Sequence, residues 1–574
     1  MEESFNHFLY NIKDEYEKVV LVDDKGKTST EKRLKTTRSI NQQIYKQIYS
    51  SGAKCGVAYG LTKVHKNGYP IRPIVSTIGT YNYNASNYLT KVLSSTFKDK
   101  FKYTVKDSFD FINKLSKIKL EPGDCLISFD VESLFTNVPI DETIEIIKNT
   151  CFKLKNNSHE IRANAKDDSR YEGLLDTMKF EVFEKLFRKC LQESVFTFNN
   201  KLYKQIDGVS MGNKLGPITA DILMNDFESK HMKKLIELGV KYWFRFVDDT
   251  FVIIKDINQA DKVLDYLNKQ HNTIKFTMEK ESKNQINFLD ITIKRKFDLK
   301  LETLTYRKPT FTGVMLNWNS LTSIKYKTGL IRCLLDRSYK ICSSEKQKEI
   351  EMAQLRILLL KNNYPNQVIE REFNKFKELK SKLNVDKIID NEIKLKYLSL
   401  PYLNDKSELI SVKIKKLVKQ YYPKVNLRIA FKAPAQLGDH FPFKDKVIDP
   451  SKQASVIYHI KCMDCDEDYI GKSDRILNQR IKEHLTDKDS HVYQHIITQK
   501  HKMDFENIMI LDRASTALKL QYKEMLYIRK LNPSINRQMD SELFSFVIRN
   551  AIKDSDKTKD IQKYLKKPLR KDKN

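Results

Sequence analysis

Glycine is scarce in this chain, with 16 of 574 residues, well below the roughly 7% of an average protein. A glycine-rich repeat, a collagen-like fibre and a glycine-based linker architecture are thereby excluded. Long apolar runs are missing as well. No 18 consecutive apolar residues occur and the mean hydropathy is -0.54, so nothing reads as a membrane-spanning helix. The opening stretch has no basic segment followed by an apolar core, which argues against a secretory signal, and a soluble, intracellular protein is expected. Cysteine is spread thinly. Six of the eight cysteines stand apart and only Cys462 and Cys465 are closely spaced, as expected of reduced thiols rather than a disulfide framework.

What the chain has in excess is positive charge. Its 103 Lys and Arg outnumber 74 Asp and Glu, a formal charge of +29, which calls for a polyanionic partner, either nucleic acid or an acidic membrane face. With 40% hydrophobic and 10% aromatic residues it can build sizeable cores, so wholesale disorder is excluded. The length implies roughly three or four domains.

Patterning divides the chain further. Residues 1–50 are charged and weakly patterned, and helix is expected there around a turn at Asp23 to Gly26. From 51 to 300, strand-like runs (Cys125 to Val131, Phe244 to Ile254, Phe288 to Lys294) alternate with helical stretches (Asp141 to Phe152, Pro217 to Lys230), an α+β arrangement. Residues 301–400 carry Lys, Glu, Leu and Ile at helical spacing, notably Ile350 to Lys361 and Val368 to Leu383. Residues 401–450 contain five prolines and read as a connector. A strand, turn and helix pattern returns over 451–540 and suits a small compact domain, and 541–574 form a lysine-heavy tail.

Three Asp-Asp pairs occur, beginning at Asp23, Asp167 and Asp248, so the dipeptide alone carries no meaning. Asp248-Asp249 differs in standing between two apolar runs, which puts both acids at the tip of a β-hairpin. Adjacent carboxylates in a buried hairpin repel each other and lose hydration, and a divalent cation relieves both costs; a solvated turn is the bland alternative. Asp130 ends another apolar strand, where it can meet the hairpin tip across a sheet. Three converging carboxylates suit two Mg2+ ions that activate a 3′-hydroxyl and neutralise a pyrophosphate leaving group. Phe135, five residues on, is either a platform beneath a sugar that excludes a 2′-hydroxyl or a core aromatic.

These residues belong to an ordered series: Lys63-Val-His-Lys66, Ile71-Arg-Pro-Ile-Val-Ser76, Phe129-Asp-Val-Glu-Ser-Leu-Phe-Thr-Asn-Val-Pro139, Gln205 to Pro217, Phe246-Val-Asp-Asp249, Asn287-Phe-Leu-Asp290 and Tyr306-Arg-Lys-Pro-Thr310. Over about 56–345 the series closely resembles the reverse transcriptase of Penelope-like retroelements. The resemblance implies a right-hand polymerase, with fingers and palm over 51–300 and a helical thumb over 301–400. It also implies Mg2+ held by Asp130, Val131 and Asp248, with Asp249 sharing or supporting that role. Lys63 and Arg72 would lie over the incoming triphosphate, where an ammonium and a planar guanidinium both suit phosphate oxygens. Gln205, Gly208 and Gly212 would support the template and nascent base pair, and Asn287 to Asp290 would form the primer grip. Thr62 stands where the family usually has Pro and Asn213 where it often has Ser; neither departure touches the metal acids.

Five of the eleven histidines fall between His459 and His501, around the only CxxC pair. Cys462 and Cys465 can place two thiolates on one Zn2+, with two imidazoles completing a tetrahedron from His491 and His495 or from His495 and His501. The same region carries Val456-Ile-Tyr458, Tyr469-Ile-Gly471, Arg480 with His484 one helical turn later, Glu524 and Asn532-Pro-Ser-Ile-Asn536, and over 455–536 it resembles a GIY-YIG nuclease. That resemblance implies catalytic roles for Tyr458, Tyr469, Arg480, His484 and Glu524, the last binding one Mg2+, with Asn536 supporting the site. In Penelope-like elements it further implies a zinc site, matched here by Cys462, Cys465, His495 and His501. Val456 replaces the glycine that opens the motif, a change the family tolerates.

The reading is a small zinc-containing α/β nuclease behind an α+β polymerase. It predicts an RNA-directed DNA polymerase that nicks target DNA and primes reverse transcription from the freed 3′-hydroxyl. Element RNA, target DNA, the RNA·DNA hybrid and dNTPs are the expected partners, no membrane is among them, and nuclear residence is expected. The alternative is a polymerase-only or domesticated binding protein with an inactive nuclease domain. A decayed copy should have lost one of Asp130, Asp248, Arg480 or Glu524, and all four remain.

Overall fold

The computed structural model describes residues 15–22, 28–36, 42–50, 55–64, 68–152, 180–199, 201–206, 208–381, 394–433, 453–514 and 517–536. The helical start expected of residues 1–50 is corrected. Among the described residues an antiparallel pair, β1 (Glu15–Val22) with β2 (Thr28–Thr36), stands where helix was expected, and Gln42–Ile48 is helical. Val19, Val20, Val22, Thr28, Thr30 and Thr36 are β-branched and favour the extended chain over a charge pattern that suggested helix. The expected turn at Asp23 to Gly26, the acids Asp167-Asp168 and the basic tail lie outside the described residues.

β3 (Gly56–Thr62) and β4 (Ile71–Ser76) form a hairpin. β5 (Cys125–Val131) follows two helices, Tyr83–Phe97 and Ser108–Leu115. β6 (Val195–Phe198) and β7 (Lys201–Lys204) extend the first hairpin into a sheet of order β4-β3-β6-β7. β8 (Val240–Phe246), β9 (Asp249–Ile254) and β10 (Phe276–Lys280) join β5 in a sheet of order β10-β5-β9-β8. This second sheet is apolar on both faces. Ile127, Phe129, Trp243 and Val252 pack on one side in a cluster that includes Leu223 and Phe227 of the long helix Gly216–Glu237, while Leu126, Phe251 and Ile253 pack on the other with Phe111 and Phe288.

The strand expected across Phe288 to Lys294 is two strands, β11 (Gln285–Phe288) and β12 (Ile291–Arg295), because Leu289 adopts a positive φ of 57° and reverses the chain. β13 (Leu301–Thr305) completes that three-stranded sheet. Three helices follow, Ile324–Ile341, Glu345–Lys361 and Asn366–Ser381, around a core of Ile331, Leu335, Leu355, Leu359 and Phe373.

The proline-containing stretch read as a connector contains a folded unit. β14 (Lys394–Pro401), the helix Asp405–Tyr421 and β15 (Val425–Lys432) form a β-α-β unit with parallel strands. Prolines misled because Pro401 ends a strand and Pro423 follows a helix, positions where no ladder donor is lost. The last described unit is an antiparallel sheet of β16 (Val456–Lys461), β17 (Asp468–Ser473) and β18 (Met509–Arg513), with β16 central. The helices Leu477–Thr486, His491–Gln499 and Ala517–Leu531 accompany it. Among the described residues no helix is long and apolar enough to cross a membrane.

Candidate functional sites

Strand register alone brings the three acids of the large domain together. Asp130, next to last in β5, lies directly opposite Asp249, first in β9. Asp248 occupies the two-residue turn before it, and its carbonyl accepts from the amide of Val131 at 3.1 Å. Val131 is 2% exposed, so it has only its backbone to offer a metal. The turn partner of Asp248 is Val247, at φ 57°. A β-branched side chain is a poor occupant of that region, and such strain, of order 1–3 kcal/mol, persists only where the surroundings impose it.

Arg245 imposes it. Its guanidinium is completely buried on the side of the sheet away from Asp130 and Asp249, where Nε donates to Glu228 Oε1 at 2.7 Å and Nη1 to Asp221 Oδ1 at 2.8 Å. Nη1 also reaches the carbonyl of Val247 at 3.1 Å, and Nη2 donates to Thr104 Oγ1 at 3.1 Å. Trp243 Nε1 donates to the same Glu228 oxygen at 2.8 Å. One cation thus ties the hairpin turn to the helix Gly216–Glu237. Burial pushes the Glu228 carboxyl up, while Arg245 pulls it back toward the charged form. Sequence reasoning missed both residues, although a lone Arg within Tyr242-Trp-Phe-Arg-Phe246 is the kind of anomaly that marks a buried ion pair.

The residues read as nucleotide-facing fall on neighbouring elements. Arg72 lies opposite Leu61 in the first hairpin, and Lys63 pairs through its amide with the carbonyl of Pro70 at 2.9 Å, which sets Lys63 and Arg72 on one face. Phe135 is half-buried in the short helix Leu134–Asn137, and its carbonyl accepts from the amide of Val209 at 2.7 Å. Two glycines make that approach possible. At Gly208, φ 65°, a Cβ would stand 2.3 Å from the carbonyl oxygen of Thr136; at Gly212, φ 121°, it would stand 2.3 Å from that of Val75. The segment is therefore wedged between Thr136 and β4, with Gln205 held at its start by Ser194, whose carbonyl accepts from its amide at 3.3 Å. Asn213, the departure from Ser, is buried; it donates to the carbonyl of Cys190 at 2.8 Å and accepts from the amide of Leu215 at 3.0 Å. Asp290 pairs with Arg337 and accepts from Ser108, which joins the β11–β12 turn to two helices.

In the C-terminal domain Tyr458 lies opposite Gly471 and Tyr469 opposite Ile460. The Tyr458 hydroxyl passes so close that a Cβ on Gly471 would be 2.5 Å from it. That hydroxyl is 2.7 Å from His484 Nε2, and His484 Nδ1 is 2.7 Å from Ser490 Oγ. Burial, and then the neighbouring Arg480, lower the His484 imidazole to about 4, so the ring is neutral near pH 7. A neutral imidazole donates at one nitrogen and accepts at the other, which makes Tyr458, His484 and Ser490 a directed chain of hydrogen bonds. Burial, and next Tyr469, push the Tyr458 phenol well above its ordinary range. Tyr469, Arg480, Glu524 and Asn536 line one cleft of about 410 Å³. There Glu524 pairs with Lys472 at 2.8 Å, and both ends of the Asn536 amide bond the backbone of Ile470, at 2.9 and 2.8 Å. Lys472 and Ser490 carry no sequence signal beyond their neighbours.

Cys462, Cys465, His495 and His501 bring one donor atom each to within 4.8 Å of one another and can hold one metal ion. His495 turns Nε2 toward Cys462 Sγ at 3.3 Å, and its Nδ1 lies 3.0 Å from Glu467, the carboxylate–imidazole support common at metal ligands. His501 Nδ1 is buried without a hydrogen-bond partner, an orphan that a metal bond satisfies. His491 lines the neighbouring cleft instead.

Removing Arg245 leaves the Glu228 carboxylate buried and unpaired. Arg245→Met should cost about 3–5 kcal/mol in denaturant unfolding followed by Trp243 fluorescence, and adding Glu228→Gln should recover part of the loss; an unchanged midpoint for the single variant would contradict the clamp. The His484 imidazole, lowered to about 4 in the folded protein, binds its proton near 6.5 once unfolded. The unfolded chain takes up more protons between those values, so stability should fall as pH drops from 6.5 toward 4, by roughly 3 kcal/mol at most. His484→Gln should flatten that slope in thermal melts of the C-terminal domain.

Three segments of the chain match known families. Residues 64–316 match the reverse transcriptase (RNA-dependent DNA polymerase) family, 314–374 the animal helix-turn-helix domain, and 454–538 the GIY-YIG catalytic domain. No curated protein sequence matches the chain. Among solved structures, telomerase from Candida albicans in complex with a fragment of telomeric RNA is similar at 15% identity and TM-score 0.38, covering 58% of this chain and 58% of that one. A Sicinivirus RNA-dependent RNA polymerase is similar at 10% identity and TM-score 0.35, covering 62% and 74%. The polymerase of a human picobirnavirus is similar at 11% identity and TM-score 0.33, covering 65% and 66%. This chain thus spans little more than half of the telomerase it matches. The protein carries a reverse transcriptase domain followed by a C-terminal GIY-YIG nuclease domain, two enzymatic domains in one polypeptide.

Proposed function

We propose that this chain is the replication enzyme of a Penelope-like retroelement, acting in the nucleus, which nicks target DNA and extends the freed 3′-hydroxyl on element RNA. The observation that carries the reading is the presence, in one chain, of a carboxylate-bearing hairpin and a cleft lined by Tyr469, Arg480 and Glu524, with the Tyr458–His484 pair buried behind it. Tethering two sites raises the effective concentration of a nicked end at the polymerase.

In the polymerase, the all-oxygen donor set of Asp130, the Val131 carbonyl and Asp248 suits Mg2+. When bound, Mg2+ lowers the pKa of the primer hydroxyl and offsets charge on the leaving pyrophosphate. Asp249 supports these ligands from the paired strand, Lys63 and Arg72 bind the triphosphate of the dNTP, and Phe135 underlies its sugar. Gln205, Gly208 and Gly212 hold the template side, and the Asn287 to Asp290 turn grips the primer.

In the nuclease, Ser490 accepts from His484 Nδ1, so the neutral Nε2 accepts from the Tyr458 hydroxyl and fixes its oxygen as an acceptor that can position the attacking water. Tyr469 orients that water, Arg480 binds the phosphate as it gains charge, Glu524 is the Mg2+ ligand, and Asn536 keeps β17 in place. The mixed thiol and imidazole set of Cys462, Cys465, His495 and His501 suits Zn2+ in a structural role.

Asp248→Ala should abolish RNA-templated primer extension and leave DNA nicking intact, and Glu524→Ala should do the reverse. In a reaction with intact target and element RNA, both variants should fail to yield cDNA joined to target; full extension by Asp248→Ala would sink the polymerase assignment. Metal analysis should find about one zinc per chain, lost in a Cys462→Ser, Cys465→Ser variant.

A further inference from the structure

The β-α-β unit of residues 394–433 lies between the matched segments 314–374 and 454–538. It is anchored to the first of the three preceding helices. Lys325 Nζ donates to the carbonyl of Ile429 at 2.5 Å, Tyr326 Oη accepts from the amide of Phe431 at 2.7 Å, and Ser323 Oγ donates to Glu408 at 2.5 Å. One sheet face turns Val425, Leu427, Ile429 and Phe431 inward, with Ile429 3% exposed. The other face is open. By register it carries Leu395, Tyr397 and Ser399 beside Asn426, Arg428 and Ala430; Tyr397 is 67% exposed and sits directly opposite the exposed Arg428. Parallel strands ordinarily have both faces covered, so this face is built as if for a partner.

Charge identifies the class of partner. Residues 394–433 hold ten Lys and Arg against two acids, Asp405 and Glu408, a surplus of eight in 40 residues. That is about four times the mean density of the +29 chain. A tyrosine ring and a guanidinium plane on neighbouring strands, about 4.8 Å apart, offer two stacking surfaces to consecutive unpaired bases, and the exposed Lys432, on the same face of β15 as Arg428, can take a phosphate. Duplex nucleic acid keeps its base faces covered and cannot use them. We propose that this open face is a binding platform for single-stranded nucleic acid, separate from the polymerase and nuclease clefts and independent of the functional reading above.

The test uses the full chain and a 20-nucleotide single strand carrying 4-thiouridine. Irradiation should cross-link the strand to the peptide containing Tyr397, with competition by unlabelled single strand and little by duplex of the same sequence. Tyr397→Ala combined with Arg428→Ala should weaken single-strand binding roughly 10- to 100-fold and reduce its salt dependence. Tyr397→Phe, which keeps the ring, should bind as the parent does. Extension of a short annealed primer–template and nicking should be unchanged in all three proteins, so a defect here is distinguishable from failure of either catalytic site. Absence of the cross-link, unchanged affinity in the double variant, or equal competition by duplex would overturn the proposal. So would a double variant that keeps single-strand affinity but loses binding to anionic phosphatidylserine vesicles, because the exposed Leu409, Ile410 and Leu417 on a basic helix also suit a membrane interface.

Discussion

The buried ion pair of Arg245 and Glu228 is the constraint on which the proposed polymerase site rests. A guanidinium without water must find anions and carbonyls for its fork of donors. Here those partners are the long helix, the 104 segment and the Val247 carbonyl. Because they come from separate parts of the chain, satisfying one cation fixes all of them relative to the turn that holds Asp248. The strained φ of Val247 belongs to the same arrangement, since an isolated two-residue turn would favour glycine there.

A chain with so few glycines shows where backbone freedom is indispensable. Gly208 and Gly212 let one segment press against Thr136 and Val75 with no room for a Cβ, and Gly471 lets the Tyr458 hydroxyl cross β17 toward His484. The two domains share this economy of small residues but build their chemistry differently. The proposed polymerase site is assembled by register, setting Asp130 against Asp249, whereas the proposed nuclease site is assembled by a hydrogen-bonded chain that runs from a strand through a helix to the start of the next.

Much of this was legible from residue order. The hairpin at Asp248, the strand that carries Asp130 and the close spacing of Cys462 and Cys465 are local patterns, each readable within a few residues. The misreadings were local patterns overruled by distant partners. Residues 15–22 and 28–36 pair as strands despite a charge pattern suggesting helix. Residues 394–432 form parallel strands whose pairing spans an intervening helix, and parallel pairing leaves no hairpin signature to read. His491 and His501 were the alternative companions of His495 as ligands, and packing sends His491 to the cleft and His501 to the cysteines.

The sequence by itself determined which chemical groups this protein has and in what order, because motif spacing, apolar periodicity and charge are properties of the chain read along its length. Tertiary structure alone decided which groups meet. Arg245 became a clamp, Ser490 the partner of His484 and the supposed connector a folded unit with an open face, because burial and long-range hydrogen bonding assign partners that no linear spacing encodes.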